Sequence, residues 1–152
     1  MATERARPYL RHNFLVDITD VNDAQQDSGG FQEVSGLGVE IAAAEYRNGN
    51  YAFNYPIKVM GLSKVPDVTL KRGVLGNLSL FEWIKAVQEG ESDQLKTVTI
   101  TLLGEDRTTQ AQAWKLSNAR PLKYTGPPLS GTAGGEVAIE ELVLSCERIE
   151  QA

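Results

Sequence analysis

The chain is 152 residues long, 41% hydrophobic and 23% charged, with a formal net charge of −5 at pH 7. That length suits one domain able to bury roughly 68–70% of its unfolded surface, and that composition excludes disorder of the whole chain. The acidic balance argues against specific nucleic-acid binding, and no stretch approaches the ~20 apolar residues of a membrane span.

Residues 1–12 are charged, include Pro8 and show no periodicity, which predicts an N-terminal arm that is flexible in the free subunit. Charges also stand where a secretion signal needs an apolar stretch, so synthesis in the cytoplasm without a signal peptide is expected. Phe14, Val16 and Ile18 alternate with Leu15, Asp17 and Thr19, the pattern of a half-buried strand. Asp20 to Gly30 reads as a polar loop. Phe31 to Val39 returns to strand character, and its apolar phase slips between Val34 and Leu37, where Gly36 and Gly38 predict a bulge. Ala42 to Pro56 places Tyr46, Tyr51, Phe53 and Tyr55 without a clean period. Asn48-Gly49 within it is the pair that makes tight hairpin turns. A long aromatic, irregular segment in a small domain is a functional loop or packs on a partner.

Val68, Leu70 and Arg72 alternate with Thr69 and Lys71 up to Gly73, another strand. The Lys71-Arg72 pair reads as a solvated face. One helix follows, over Leu80 to Glu89. Ser79 and Glu82 form a capping box, Leu80, Trp83, Ile84 and Val87 make the apolar stripe, and Gly90 supplies the stop. Thr97 to Leu103 is the most regular strand: Val98, Ile100 and Leu102 want a core, Thr97, Thr99 and Thr101 a wet or small polar neighbour. That threonine face would be an outer surface in a sandwich, or the lining of a wet channel in a ring of joined sheets. Thr109 to Asn118 returns as a strand, and Pro121 to Gly134 reads as loop. Val137 to Glu147 is a last strand with a second bulge expected at Glu140-Glu141, where the apolar phase shifts. The fold class is mainly β (α+β): an antiparallel sandwich or barrel of about six strands with one flanking helix, a single domain over residues 1–152.

Catalytic candidates are few. His12 is the only histidine and lies in the arm, Cys146 is the only cysteine and sits on the apolar phase of a strand, where a buried inert thiol is expected. Neither a zinc set nor a dinucleotide loop is assembled, since Gly36-Leu37-Gly38 lacks a following helix. Asp17 with Asp20, or Glu140 with Glu141, could be nominated as carboxylate pairs, but adjacent strand residues point to opposite faces. No metal or other cofactor, and no catalytic residue, is therefore expected. Trp83, Ile84 and Trp114 read as core anchors, with Trp114 expected beneath the helix. Tyr46, Tyr51 and Tyr55 read as a protein interface or as a platform for stacking sugars or bases.

Several fragments in order carry a family resemblance. They are FQEVSGLGVE at residues 31–40, EYRNG at 45–49, TLKRG at 69–73, Trp83-Ile84 in the helix, Trp114, Pro121 and EVAIE at 136–140. From Phe14 onward the chain resembles the tube proteins of contractile phage tails and phage-tail-like contractile injection systems. It departs from the pattern at Met60-Gly61, at Gly135 and in a longer loop from Val21 to Gly30. The resemblance implies a homohexameric ring with a continuous inner β-barrel, stacked into a hollow conduit. Its implied partners are a contractile sheath around it, a baseplate hub and a tube terminator at its ends, and cargo in the lumen, in a particle that works assembled and outside the producing cell. Tyr46, Arg47, Asn48, Tyr51 and Tyr55 are the candidate inter-subunit or inter-ring contacts. Two alternatives stand beside this reading: a paralogue of the same family that initiates the tube on the baseplate, and a monomeric β-sandwich that binds carbohydrate or peptide.

Overall fold

The structure is a computed structural model that describes residues 5–20, 26–91, 94–132 and 134–152. Among the described residues, ten strands and one helix run in the order β1 (Phe14–Asp20), β2 (Gln26–Gly29), β3 (Glu33–Ser35), β4 (Glu40–Tyr46), β5 (Ile57–Lys64), β6 (Val68–Gly73), α1 (Ser79–Gln88), β7 (Lys96–Leu103), β8 (Gln110–Thr125), β9 (Ile139–Ser145) and β10 (Arg148–Gln151). Eight strands form one antiparallel system in the order β2-β1-β7-β8-β9-β6-β3, with β10 also paired to β8. Strands β4 and β5 form a separate two-stranded sheet.

The long strand β8 joins the two halves of the system. Its first part pairs with β7 on one edge and β10 on the other, and its last part pairs with β9. Asn118 takes a left-handed φ of 54°. The buried side of the strand slips there from Leu116 to Ala119 and then Pro121, which re-aims the strand from one sheet into the next. The expected strand end at Asn118 and loop from Pro121 are therefore corrected: β8 runs on to Thr125. Proline is tolerated because the ladder register shifts between Pro121 and Lys123.

The core lies between the two halves. Val16 and Ile18 of β1, Val98 and Ile100 of β7 and Leu116 of β8 face Val68 and Leu70 of β6 and Leu142 and Leu144 of β9. Leu80 and Trp83 of α1 close it, and the Trp83 indole N–H donates to the Gln94 carbonyl at 2.9 Å. Ile84 and Val87 are half-buried on the same stripe. The helix begins at Ser79, its expected cap, one residue earlier than read. Leu78 stands at the N-cap, the Ser79 N–H donates to Asn77 Oδ1 at 2.9 Å, and Ser79 Oγ is buried without a partner, so no capping box forms. Gly90 ends the helix with φ +93°, as read from the sequence.

Other boundaries shift for physical reasons. The polar stretch 20–30 contains β2, which pairs antiparallel with β1 and whose sequence QDSG offers no apolar alternation to read. β3 is shorter than expected because Gly36 turns at φ +90°, with its Cα against the Asp67 carbonyl; a Cβ would stand 2.2 Å from that oxygen. β9 has no bulge. Glu140 shares the buried phase of Leu142 and Leu144, and the chain bends at Glu147, between β9 and β10. The arm is tied down in part: Arg5 makes two 2.8 Å hydrogen bonds to the Glu105 carboxylate and lies 3.7 Å over the Tyr9 ring.

Candidate functional site

Three places could carry function: the β4–β5 hairpin, a buried polar cluster, and a groove at one end of the core. The hairpin leaves the domain at Ser35 and returns at Val68, with Leu37 and Val65 packed on the core at its roots. Its register pairs Tyr46 with Ile57 and Ala44 with Val59, so these side chains share one face. The other face carries Lys58 and Met60, opposite Glu45 and Ala43. Between Ile41 and Ala43 the register shifts, with Gly61 and Leu62 of β5 standing against Ala42 alone, a bulge that breaks the alternation of β5. Every residue of both strands is exposed, and Leu62 keeps 88% of its surface. β5 escaped the sequence reading because apolar residues on both faces abolish alternation.

Beyond the strands, loop 47–56 builds its own small cluster. Phe53 and Tyr55 stack at 5.2 Å, and Tyr51 meets both edge-on at 5.7 and 6.2 Å. The Arg47 guanidinium donates to the carbonyls of Phe53 at 3.1 Å and Tyr51 at 3.4 Å, and the Tyr46 hydroxyl donates to Asn48 Oδ1 at 2.5 Å. The Tyr51 N–H bonds the Asn48 carbonyl, so the turn centres on Gly49-Asn50 rather than on the expected Asn48-Gly49 pair, and it lies inside a ten-residue loop rather than forming the whole hairpin connection. The five tyrosine, arginine and asparagine candidates thus lie together on one exposed projection. Arg47 is engaged with its own loop.

The polar cluster is sealed. Arg72 and Glu140 are 4% and 5% exposed, and Arg72 Nε donates to Glu140 Oε1 at 2.5 Å. The guanidinium also donates to the Asn77 carbonyl at 3.1 Å, and the Tyr124 hydroxyl donates to Glu140 Oε2 at 2.6 Å. The hydrogen bond to Glu140, then burial, pushes the Tyr124 phenol up from its ordinary value. Arg72 is thereby corrected from a solvated face to a core residue. With Arg72 and Glu140 buried and every member paired, the cluster offers no open position to a substrate. The TLKRG and EVAIE fragments, far apart in sequence, meet here across the β6–β9 ladder.

A groove of about 770 Å³ opens beside β3, lined by Phe14, Val34, Leu37, Ile100 and Trp114, with His12 and Arg11 at its rim. Trp114 is half-buried in this groove, paired with Ile100, whereas the helix-borne Trp83 lies by Lys96 at the other end of β7. Cys146 is buried and free, and burial pushes its thiol up. Among the described residues no group of three or more His, Cys, Asp and Glu is placed to hold a metal ion, and no helix is long and apolar enough to cross a membrane.

A β domain whose polar groups are sealed inside while a projecting hairpin bares apolar side chains is built as an assembling structural subunit. Residues 10–150 match the T4-like virus tail tube protein gp19 family, and the chain belongs to that family as a structural tube protein. No curated protein sequence matches it. Among solved structures, a chain of the extended sheath–tube complex of an extracellular contractile injection system (PVC) is 29% identical, with a TM-score of 0.83 over 97% of this chain and 93% of that one. A chain of the anti-feeding prophage (AFP) baseplate is 25% identical, with a TM-score of 0.86 over 97% of both. A chain of the PVC sheath/tube terminator complex is 30% identical, with a TM-score of 0.80 over 99% of both.

Proposed function

We propose that the chain is the repeating inner-tube subunit of a contractile injection particle, without catalytic turnover of its own. Six copies close into a ring, the rings stack, and the lumen is the route for cargo. A sheath surrounds the tube, a baseplate starts it and a terminator ends it, as the complexes named for the matched structures suggest. The edges of β2 and β3 end the strand order of the main sheet, and a ring would cover such edges with the neighbour's.

The observation that carries this reading is the hairpin. A lone domain gains nothing from a two-stranded sheet that packs on nothing, since isolated hairpins are marginal in water. Its exposed Ile41, Tyr46, Ile57, Val59, Met60 and Leu62 are instead suited to contact between copies. Size-exclusion chromatography with negative-stain imaging tests it, rings and tubes being expected rather than a compact monomer. Tyr46→Ala with Arg47→Ala should leave the domain folded and shorten or abolish tubes. If that variant forms tubes of wild-type length, the hairpin is not the stacking element, and the arm or loop 126–135 takes its place.

A further inference from the structure

Loop 47–56 contains the only Asn-Gly pair of the chain, Asn48-Gly49. An asparagine is durable while the next main-chain nitrogen is kept from its side-chain carbonyl carbon. Where that nitrogen is free and unshielded, it attacks the carbon and closes a cyclic imide, a step made fast by being intramolecular. Both residues are exposed. The Gly49 N–H makes no hydrogen bond among the described residues, whereas the Tyr51 N–H is tied to the Asn48 carbonyl at 3.1 Å. Glycine has no side chain to shield its nitrogen, and the space around Gly49 is open, since a Cβ built there meets nothing within 4 Å.

The other reactant is held in place. The Tyr46 hydroxyl donates to Asn48 Oδ1 at 2.5 Å, at the short end for an O–H···O bond. That oxygen is the atom on which negative charge develops when Asn48 Cγ is attacked, so the hydroxyl is worth more to the intermediate than to the resting amide. The frame around the pair is fixed by Arg47, which bonds the carbonyls of Phe53 and Tyr51, and by the mutual packing of Tyr51, Phe53 and Tyr55.

We infer that Asn48 is a self-modification site of the free subunit, at which the Gly49 nitrogen displaces the side-chain amide with the Tyr46 hydroxyl as hydrogen-bond donor. The Gly49 nitrogen gives its proton to a solvent base as its bond to Asn48 Cγ forms. Oδ1 carries the negative charge, held by Tyr46, until the Cγ–Nδ2 bond breaks. Nδ2 takes a proton from water and leaves as ammonia. Water then opens the cyclic imide, at Cγ to give aspartate or at the main-chain carbonyl to give isoaspartate. One amide and one water become one carboxylate and one ammonium, and nothing is oxidised or reduced. The product adds a negative charge beside Arg47, and the iso form adds a backbone methylene to the turn that holds the aromatic cluster. A free subunit thus alters the charge and shape of its own projection with age, whichever surface stacks the rings.

Peptide mapping of dilute purified subunit, kept warm at mildly alkaline pH, tests this. The peptide that holds Asn48 should become about 1 Da heavier over days, with both aspartate and isoaspartate at that position. Gly49→Ala is expected to keep the fold, because Gly49 is not at a positive φ and a Cβ has room, and should slow conversion at least about tenfold by shielding the nitrogen. Tyr46→Phe keeps the ring and removes the hydroxyl; it should slow conversion about threefold or more in the folded chain and leave it unchanged in urea, where the donor is no longer aimed. An Asn48 that stays intact in the folded subunit while it converts in urea overturns the inference, since the fold then protects the pair. Conversion of Tyr46→Phe as fast as wild type or faster also overturns it, because the hydroxyl then restrains the side chain instead of assisting the attack. A wild-type rate in Gly49→Ala rules out attack by the nitrogen of residue 49.

Discussion

The sheet core and the hairpin obey opposite rules within one small chain. In the core, even a full ion pair is taken out of water, and each of its groups is matched: Arg72 to Glu140 and Asn77, Glu140 to Tyr124. In the hairpin, side chains that would prefer burial, such as Ile57 and Met60, stand in solvent on both faces. The first region satisfies itself and needs no partner. The second is unfinished, and its composition makes sense only when something else covers it. A buried polar group and an exposed apolar one are both exceptions to simple partition, yet they point to different ends: the former to a unique internal arrangement, the latter to assembly.

Substitutions can break this contrast in order of size. Trp83→Ala removes the largest core side chain of α1 and the indole bond to Gln94; we expect a loss of about 3–5 kcal/mol in denaturant unfolding. An unchanged midpoint would mean that Trp83 does not fill the core. Glu140→Ala leaves the Arg72 guanidinium buried without its carboxylate and should cost a comparable ~3–5 kcal/mol, whereas Arg72→Met with Glu140→Leu should recover most of that loss, because an apolar pair avoids the desolvation. If the double variant is as unstable as the single one, the cluster holds more than a charge balance. On the hairpin, Val59→Ser should shift stability by no more than about 0.5 kcal/mol, since nothing in the subunit packs on it; a loss of several times that would show that the hairpin is part of the folding unit. The smallest effect lies at the arm. The Arg5 hydrogen bonds hold the Glu105 carboxyl down, from 4.5 to about 2. A depressed carboxyl contributes above its unfolded value and loses that contribution as pH falls through its folded one. Hydrogen exchange of residues 5–9 should therefore be slowed from neutral pH down to about 4.5 and lose that extra protection towards pH 2, beyond the acid dependence of a free peptide. Protection that is flat over this range would assign the arm's order to other contacts.

Periodicity exposed most of the domain before any coordinates. β1 and β6 alternate with one side dry, β7 does so as far as Ile100, beyond which Thr101 and Leu103 are buried, and the helix shows its stripe and its glycine stop, so each announces itself locally. What stayed hidden had no local signal. β2 is polar and held by backbone bonding, and β5 is apolar on both sides. Arg72 looked like a surface charge, and Glu140 like half of a carboxylate pair that does not converge, because each is read alone, while their burial depends on a partner 68 positions away. The continuation of β8 past Pro121 was hidden by a residue type that ordinarily ends strands. For the candidate site, the aromatic and irregular character of residues 42–56 marked the segment that projects from the domain. Its β4 half, its partner strand and the role of Arg47 within its own loop required the register. The family resemblance rested on fragments whose meaning emerges only in space, where TLKRG and EVAIE lie side by side.

The path of β8 bears on mechanics. A tube subunit that is pushed along an axis must pass thrust from one half of its body to the other. In a sandwich of two independent sheets, that thrust crosses only side-chain contacts, which can slide. Here one covalent strand belongs to both halves, with β7 and β10 laced to its beginning and β9 to its end. Displacing the halves past each other would require tearing these ladders together, many hydrogen bonds loaded at once. The left-handed residue at Asn118 is the corner of that strut, and it lets a single strand serve as the frame against which the whole subunit resists shear.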